Sequence, residues 1–131
     1  MFRPFSFALN RAVSAFEGDA AMVAALTAAS RRAQRNVAAE ARDLARRPLL
    51  AQELDKFDGV VLDPPRAGAL PQARELARSK VPTVASVSCN PVSFARDARV
   101  LVDGGYRLER VVPLDQFLWS EHVEVAATFR R

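Results

Sequence analysis

Hydrophobic residues are distributed along the chain in two kinds of segment. Short apolar runs bounded by polar turns are typical of buried β-strands, whereas an apolar residue every three or four positions predicts a helix. Strands are predicted over residues 13–16, 36–41, 57–62, 83–88, 106–113 and 121–129. Helices are predicted over residues 19–35, 46–54, 71–78 and 92–102, and residues 5–11 are interpreted as the end of another helix. Strands that alternate with helices favour a parallel α/β sheet, followed here by an antiparallel final pair.

Two of the helices carry signals for their ends. Asp19 is placed as the N-cap of the first, and basic residues fill its last turns. Pro48 would lie near the start of the second, where a missing N–H is tolerated.

Two predicted strands lead directly into polar turns. The strand at 57–62 is followed by Asp63-Pro64-Pro65-Arg66-Ala67-Gly68, and the strand at 83–88 by Cys89-Asn90-Pro91. In an open parallel α/β sheet, ligands bind at the carboxyl ends of the strands. Both turns are therefore expected at the edge of the sheet that binds ligands.

Composition indicates a packed protein. The chain has 131 residues, of which 50% are hydrophobic and 26% charged, and this favours one domain with a buried core. A single cysteine cannot form an internal disulfide, a Cys-rich zinc site or an iron–sulfur cluster by itself, so we expect no metal and a reducing compartment. No apolar run approaches the roughly 20 residues that span a bilayer, and the first residues lack a secretion signal. We expect a cytoplasmic protein without membrane partners.

The charge balance is mildly basic. Lys and Arg number 19 and Asp and Glu 15, which gives a formal net charge of +4. An acidic partner such as nucleic acid fits this excess, and so does a surface that merely keeps the protein soluble.

Cys89 is the one side chain that could serve as a thiol nucleophile. It follows a strand and precedes a helix, and a helix N-terminus favours the thiolate form. The alternative is a buried, inert cysteine. Its polar neighbours leave the two interpretations about equal.

Three acidic positions also suggest chemistry. Asp63 begins a turn that two prolines make rigid, which suits contact with a flat ring, although it could simply cap an ordinary strand-to-helix turn. Glu17 ends the first strand, where an acidic residue can accept hydrogen bonds from ribose hydroxyls. His122 and Glu124 would share one face of the last strand, and a solvated surface pair is the alternative.

Taken together, these motifs are more specific than any one alone. The set consists of Asp63-Pro64-Pro65-Arg66-Ala67-Gly68, Val87-Ser88-Cys89-Asn90-Pro91, Phe94-Ala95-Arg96-Asp97, Asp115-Gln116-Phe117 and His122-Val123-Glu124. In that order and spacing it resembles the RNA 5-methyluridine methyltransferases, which modify uracil in tRNA and rRNA. The resemblance covers nearly the whole chain from Phe5. It implies a Rossmann-like α/β fold of the class I S-adenosylmethionine-dependent methyltransferases.

The resemblance also implies a role for each motif. Cys89 matches the nucleophile that adds to C6 of uracil, and Glu124 matches the base that removes the C5 proton. The carboxylates that match the S-adenosylmethionine site are Glu17, Asp43 and Asp63. The side chains that match the pocket for a uracil swung out of its stack are Arg66, Phe117 and His122.

The chain also departs from the family pattern. The family's RNA-binding β-barrel, first strand and Gly-rich cofactor loop are not found before Phe5, so the fold is expected to be incomplete. The missing strand would lie between the strands that end at Glu17 and Asp63, and its loss would leave backbone groups unpaired. We therefore expect a fragment, with another copy of the chain as one way of completing the sheet.

Two other functions compete with an active methyltransferase. One is a catalytically inactive remnant that survives as an RNA-binding or oligomerising module. The other is a small thiol hydrolase that would use Cys89 with His122, although no residue in the sequence is an obvious orienting partner for that histidine.

Overall fold

The computed structural model describes residues 11–115, 119 and 122–131. Its strands are β1 (Val13–Glu17), β2 (Val37–Ala41), β3 (Val60–Leu62), β4 (Thr83–Ser88), β5 (Arg107–Leu114) and β6 (Glu124–Arg130). Its helices are α1 (Ala20–Arg32), α2 (Ala51–Leu54), α3 (Leu70–Arg78) and α4 (Pro91–Asp103). The predicted order of strands and helices is confirmed within these residues, whereas the helix end predicted at 5–11 lies almost entirely outside them.

The chain divides into two compact units, Met1–Arg47 and Pro48–Arg131. In the first, β1 and β2 pair in parallel along their whole length. Among residues 11–47 only Ser30 is buried, and apolar side chains of α1 such as Met22 stay exposed. The single domain expected from the sequence stays a prediction.

The N-terminus of α1 follows the sequence signal. Asp19 Oδ1 accepts hydrogen bonds from the N–H groups of Ala21 at 2.8 Å and Met22 at 3.3 Å, which satisfies two of the amides that a helix start leaves unpaired. The helix stops at Arg32, short of its predicted end. Gln34 adopts a left-handed conformation with φ of 52°, which a continuing helix does not allow.

The second unit contains a four-stranded sheet in the order β3-β4-β6-β5. β3 and β4 are parallel, and β6 runs antiparallel to both of its neighbours, so the predicted antiparallel final pair is confirmed. The largest fully buried side chains of this unit are Tyr106, Phe129, Leu54, Leu76, Leu101, Val81 and Val84. Because complete burial of one such apolar side chain is worth about 1.5–3 kcal/mol, this unit holds the main core of the described chain.

α2 is much shorter than the helix predicted at 46–54. Pro48 has no N–H group and disfavours helical backbone before it. The next residue, Leu49, uses both its N–H and its carbonyl to bind the side-chain amide of Gln72 at 2.9 Å. These backbone groups are therefore not available for helical hydrogen bonds, and the helix begins only at Ala51.

Two strands also begin later than predicted. The N–H of Phe57 donates to the carbonyl of Leu54 at the end of α2 rather than to a strand. β3 is hydrogen-bonded to β4 alone, at the edge of its sheet. Val61 is consequently 62% exposed, so the prediction of a buried strand was wrong there. β6 begins at Glu124, and His122 lies before the strand instead of sharing a strand face with that residue.

Candidate active site

The strands of the second unit bring polar residues to one edge of the sheet. β3 and β4 are parallel and end at Leu62 and Ser88, so Asp63 and Cys89 follow at the same edge. β6 runs in the opposite direction and begins there with Glu124. The edge predicted from the sequence for Asp63 and Cys89 is confirmed.

The register between β4 and β6 places Cys89 and Glu124 together. The last hydrogen-bonded pair of this antiparallel ladder is Ser88 with Val125, and both residues are buried. Continuing the same register by one position sets Cys89 opposite Glu124, and both are half-buried. Opposite residues in an antiparallel pair have Cβ atoms about 4.5–5.5 Å apart. A thiol and a carboxylate can thus reach one small substrate from neighbouring strands.

The backbone after Cys89 is fixed by Asn90, the N-cap of α4. Asn90 has extended backbone with φ of −133° and ψ of 106°, and its Oδ1 accepts from the Val92 N–H at 3.0 Å. Pro91 follows at the first helical position, where its lost N–H costs no hydrogen bond. Ser88 Oγ accepts from the Asn90 N–H at 3.2 Å. The cysteine turn (Cys89–Pro91) is therefore a strand end locked into a helix start.

Asn90 also joins this turn to the proline turn (Asp63–Gly68). Its Nδ2 donates a hydrogen bond to the carbonyl of Arg66 at 3.0 Å. Asn90 is part of a sequence motif, but its residue type alone does not mark it as a site residue. Its second bond reaches a residue far away in the sequence, which only the fold brings near.

Arg66 and His122 lie side by side on the exposed surface. The Arg66 Nη1 atom is 3.3 Å from His122 Nδ1. Arginine has donors only, so a hydrogen bond here requires Nδ1 to accept and the ring proton to be on Nε2.

Asp63 and Phe117 are the remaining site residues predicted for this unit. Asp63 is exposed directly after β3, at the start of the proline turn. Phe117, predicted to line a uracil pocket, lies outside the described residues.

The first unit carries two of the predicted cofactor carboxylates, and both follow strand ends. Glu17 ends β1, and its Oε1 accepts from the Asp19 N–H at 3.0 Å. Asp43 lies just beyond β2, and its Oδ1 accepts from the N–H groups of Ala45 at 3.0 Å and Arg46 at 3.3 Å. Both residues are exposed. A carboxylate has about four lone-pair sites, so each retains capacity to accept further hydrogen bonds.

A cavity of about 10 Å³ lies beneath the proline turn, lined in part by Pro64, Ser88, Phe94 and Asp97. That volume corresponds to roughly one water molecule. It cannot admit a nucleobase, and Cys89 does not line it.

Two kinds of feature are absent from the described ranges. None of their helices combines the length and apolarity that crossing a membrane requires. Nor do three or more His, Cys, Asp or Glu side chains in those ranges group in a way that could hold a metal ion.

Comparison with protein families gives a match over most of the chain. The sequence profile of the family described as tRNA (uracil-5-)-methyltransferase matches residues 22–131. An uncharacterized RNA methyltransferase of Mesorhizobium japonicum is 57% identical over 128 residues, which cover 93% of this chain and 31% of that protein. The chain therefore spans about a third of the length of this relative.

Two further relatives have more specific names. The 23S rRNA (uracil(1939)-C(5))-methyltransferase of Alteromonas naphthalenivorans is 47% identical over 75 residues, which cover 57% of this chain and 16% of that protein. The crystal structure of tRNA (uracil-54, C5)-methyltransferase from Pyrococcus abyssi, in complex with S-adenosyl-L-homocysteine, matches with a TM-score of 0.79 and 30% identity. That match covers 92% of this chain and 29% of the Pyrococcus chain.

Proposed function

Since the chain belongs to the tRNA (uracil-5-)-methyltransferase family, we propose that it acts in the S-adenosylmethionine-dependent methylation of C5 of uridine in tRNA or rRNA. The observation that carries this proposal is the register that sets Cys89 opposite Glu124. Support also comes from relatives named for uracil C5 methylation in tRNA and in 23S rRNA. The proposal covers both classes of RNA.

The first role belongs to Cys89. C5 of uracil is a weak nucleophile, and addition of the Cys89 thiolate to C6 makes it a strong one. The new bond joins Sγ to C6, and the electron pair of the C5–C6 double bond moves toward C5 and the C4 carbonyl. Because the cysteine turn is locked by Asn90, the sulfur can be held at a fixed position beneath the ring.

The second role belongs to Glu124. S-adenosylmethionine, when bound, supplies a sulfonium methyl group to C5. The Glu124 carboxylate then takes the remaining C5 proton, the C5–C6 double bond forms again, and the Sγ–C6 bond breaks to regenerate the thiolate. Thiol and carboxylate have to reach adjacent carbons of one ring, which suits two residues one position beyond the last pair of the β4–β6 ladder.

The residues that would hold S-adenosylmethionine are Glu17, Asp43 and Asp63. Each is an exposed carboxylate at or just beyond the carboxyl end of a strand, which is where α/β folds bind nucleotides. The spare acceptor capacity of Glu17 and Asp43 fits ribose hydroxyls and an adenine amino group. Glu17 and Asp43 therefore each fit a polar group of the nucleoside, and we assign Asp63 to the cofactor on the family resemblance.

Arg66 and His122 would form part of the uracil pocket. An enzyme that acts on C5 and C6 together needs the base swung out of its stack, and polar groups that read the exposed ring edge. The Arg66 guanidinium contacts His122, and the Arg66 carbonyl binds Asn90 of the cysteine turn. Arg66 is therefore next to that turn, and in the proposed pocket its guanidinium would donate to a uracil carbonyl. We assign Phe117 to the same pocket on the family resemblance alone.

Methyl transfer from labelled S-adenosylmethionine to uridine-containing RNA tests the proposal. After digestion of the RNA to nucleosides, the label is expected in 5-methyluridine. Label in a 2′-O-methylated nucleoside or in another base would contradict the assigned chemistry. If no label is transferred to the RNA, the proposal that the chain is active by itself is contradicted.

A second candidate is the inactive RNA-binding module. It is favoured by the sparse burial of residues 11–47 and by the position of β3 at the edge of its sheet. It predicts RNA affinity that falls with salt, together with no heat of binding for S-adenosylmethionine in calorimetry. Micromolar cofactor affinity would rule it out.

A further inference from the structure

Side chains near the start of α4 bind the backbone of the proline turn. Ser93 Oγ donates to the Arg66 carbonyl at 2.8 Å. Arg96 Nη2 donates to the Ala67 carbonyl at 2.8 Å. Together with Asp97 they form what we call the turn clamp (Ser93, Arg96 and Asp97). None of these residues has a role in the chemistry described above.

Asp97 is the centre of the turn clamp and is 8% exposed. Its Oδ2 accepts from the Ala69 N–H at 2.6 Å, and its Oδ1 accepts from Arg96 Nε at 3.0 Å and Nη2 at 2.9 Å. A buried carboxylate is stable only when it is paired and hydrogen-bonded. Each oxygen has a partner of its own here, and Arg96 connects the pair to the turn.

Gly68 allows the turn to lie close against the turn clamp. Its φ is +82°, and a Cβ built there would lie 2.6 Å from both Arg96 Nη2 and Asp97 Oδ2. Only glycine suits such a conformation and such proximity. The proline turn is therefore shaped to fit the Arg96–Asp97 pair, beyond what its two prolines impose.

The turn clamp and the cysteine turn both bind the carbonyl oxygen of Arg66. It accepts from Ser93 Oγ and also from Asn90 Nδ2 at 3.0 Å. Asn90 directly follows Cys89, and the Arg66 side chain contacts His122. The position of the Arg66 guanidinium relative to Cys89 thus depends on what holds the backbone of the proline turn.

We propose that Arg96 and Asp97 are positioning residues that act through Arg66, holding its guanidinium where it can bind the uracil that Cys89 attacks. This role rests on the proposed uracil methylation. Neither residue touches the substrate. Their effect is to keep Arg66 from moving away from the cysteine turn, and a misplacement of about 1 Å can cost roughly 100-fold in rate.

A double-mutant cycle on kcat/KM for uridine methylation tests the proposal. Arg96→Ala and Arg66→Ala are each expected to lower kcat/KM, by about 10- to 100-fold. In the Arg66→Ala background, Arg96→Ala should add almost nothing, because the residue through which it acts is already gone. Additive losses would overturn the proposal. Arg96→Lys, which keeps a charge for Asp97, should recover part of the activity lost in Arg96→Ala.

Arg99→Ala is the matched control. Arg99 lies on the same helix and pairs with Asp103 at 3.0 Å, so its loss also removes one arginine and one ion pair from α4. This exposed pair does not contact the proline turn, and kcat/KM should remain within about twofold of wild type because exposed pairs contribute little. An equal loss in Arg99→Ala and Arg96→Ala would show a general effect of helix charge and would overturn the proposal.

Amide hydrogen exchange separates this proposal from the proposed function. Arg96→Ala should speed exchange at Ala69, whose N–H binds Asp97, and leave the β4 amides unchanged. Unchanged exchange at Ala69 would overturn the turn clamp even if methylation is seen. Faster exchange at Ala69 in a chain whose wild type leaves uridine unmodified would instead contradict the proposed function, and the positioning role with it.

Discussion

Replacing Cys89 with alanine is expected to reduce 5-methyluridine formation to background. The proposed reaction cannot begin without a bond from sulfur to C6, because C5 is otherwise too weak a nucleophile to attack a methyl donor. Cys89 is the only cysteine among the 131 residues, so no second thiol can replace it. Cys89→Ser should be nearly as inactive, since a hydroxyl is rarely ionised and makes a poor leaving group at C6.

A trapped complex makes the Cys89 prediction specific. RNA that carries 5-fluorouridine should form a denaturant-resistant complex with the wild-type chain when S-adenosylmethionine is present, because fluorine cannot leave C5 as a proton does. Cys89→Ala should form none. Val92→Ala is a suitable control, since Val92 lies close to Cys89 in the sequence and is 79% exposed. A complex that persists in Cys89→Ala would place the nucleophile elsewhere.

Replacing Glu124 with glutamine is expected to stop the reaction one step later. Glutamine has the same shape but cannot take the C5 proton, so the methylated adduct should accumulate on ordinary uridine RNA. Loss of a general base typically costs about 10²- to 10⁴-fold, and we expect kcat to fall within that range. Denaturing gel electrophoresis of the protein–RNA complex, alongside single-turnover kinetics, measures both effects.

Glu109→Gln is the control for charge. Glu109 lies on β5, the other neighbour of β6, and pairs with Arg107 at 3.6 Å and Arg130 at 3.4 Å. Its substitution removes one carboxylate from the same sheet without affecting the cysteine turn. An adduct in both variants, or in neither, would contradict the role of Glu124 as the base.

The fold was largely predictable because most of its signals are local. The β4 strand was predicted with its observed bounds, and Asp19 caps α1 as its position before an apolar repeat indicated. The Rossmann-like fold of class I methyltransferases, implied by the family resemblance, is confirmed by the match to the Pyrococcus structure. The predictions that were wrong, for the start of α2 and the burial of β3, concern residues whose environment is set by distant parts of the chain. The contacts of Gln72 with Leu49 and the edge position of β3 have no signature in the local sequence.

The candidate site also combines local features that the sequence predicts with contacts between distant residues that it does not. The sequence analysis named Cys89 and Glu124 as candidate site residues. Their opposition follows only from the pairing of β4 with β6, whose register continues from Ser88 and Val125. The contact of Arg66 with His122 likewise depends on the fold, because the two residues lie on different turns. Two residues of the turn clamp, Arg96 and Asp97, belong to one of the sequence motifs. An arginine beside an aspartate in a helix is nevertheless typical of a solvated face, so their contacts with the proline turn could not be predicted.

Exchange of the C5 hydrogen without S-adenosylmethionine tests the central claim most directly. If Cys89 adds to C6 of uracil, C5 can take up a proton from water, and reversal of the addition replaces the original hydrogen. The wild-type chain should then release tritium from RNA labelled at C5 of uridine, and Cys89→Ala should release no more than buffer. Equal release by both proteins, or no release from RNA that binds the wild-type chain, would contradict the account.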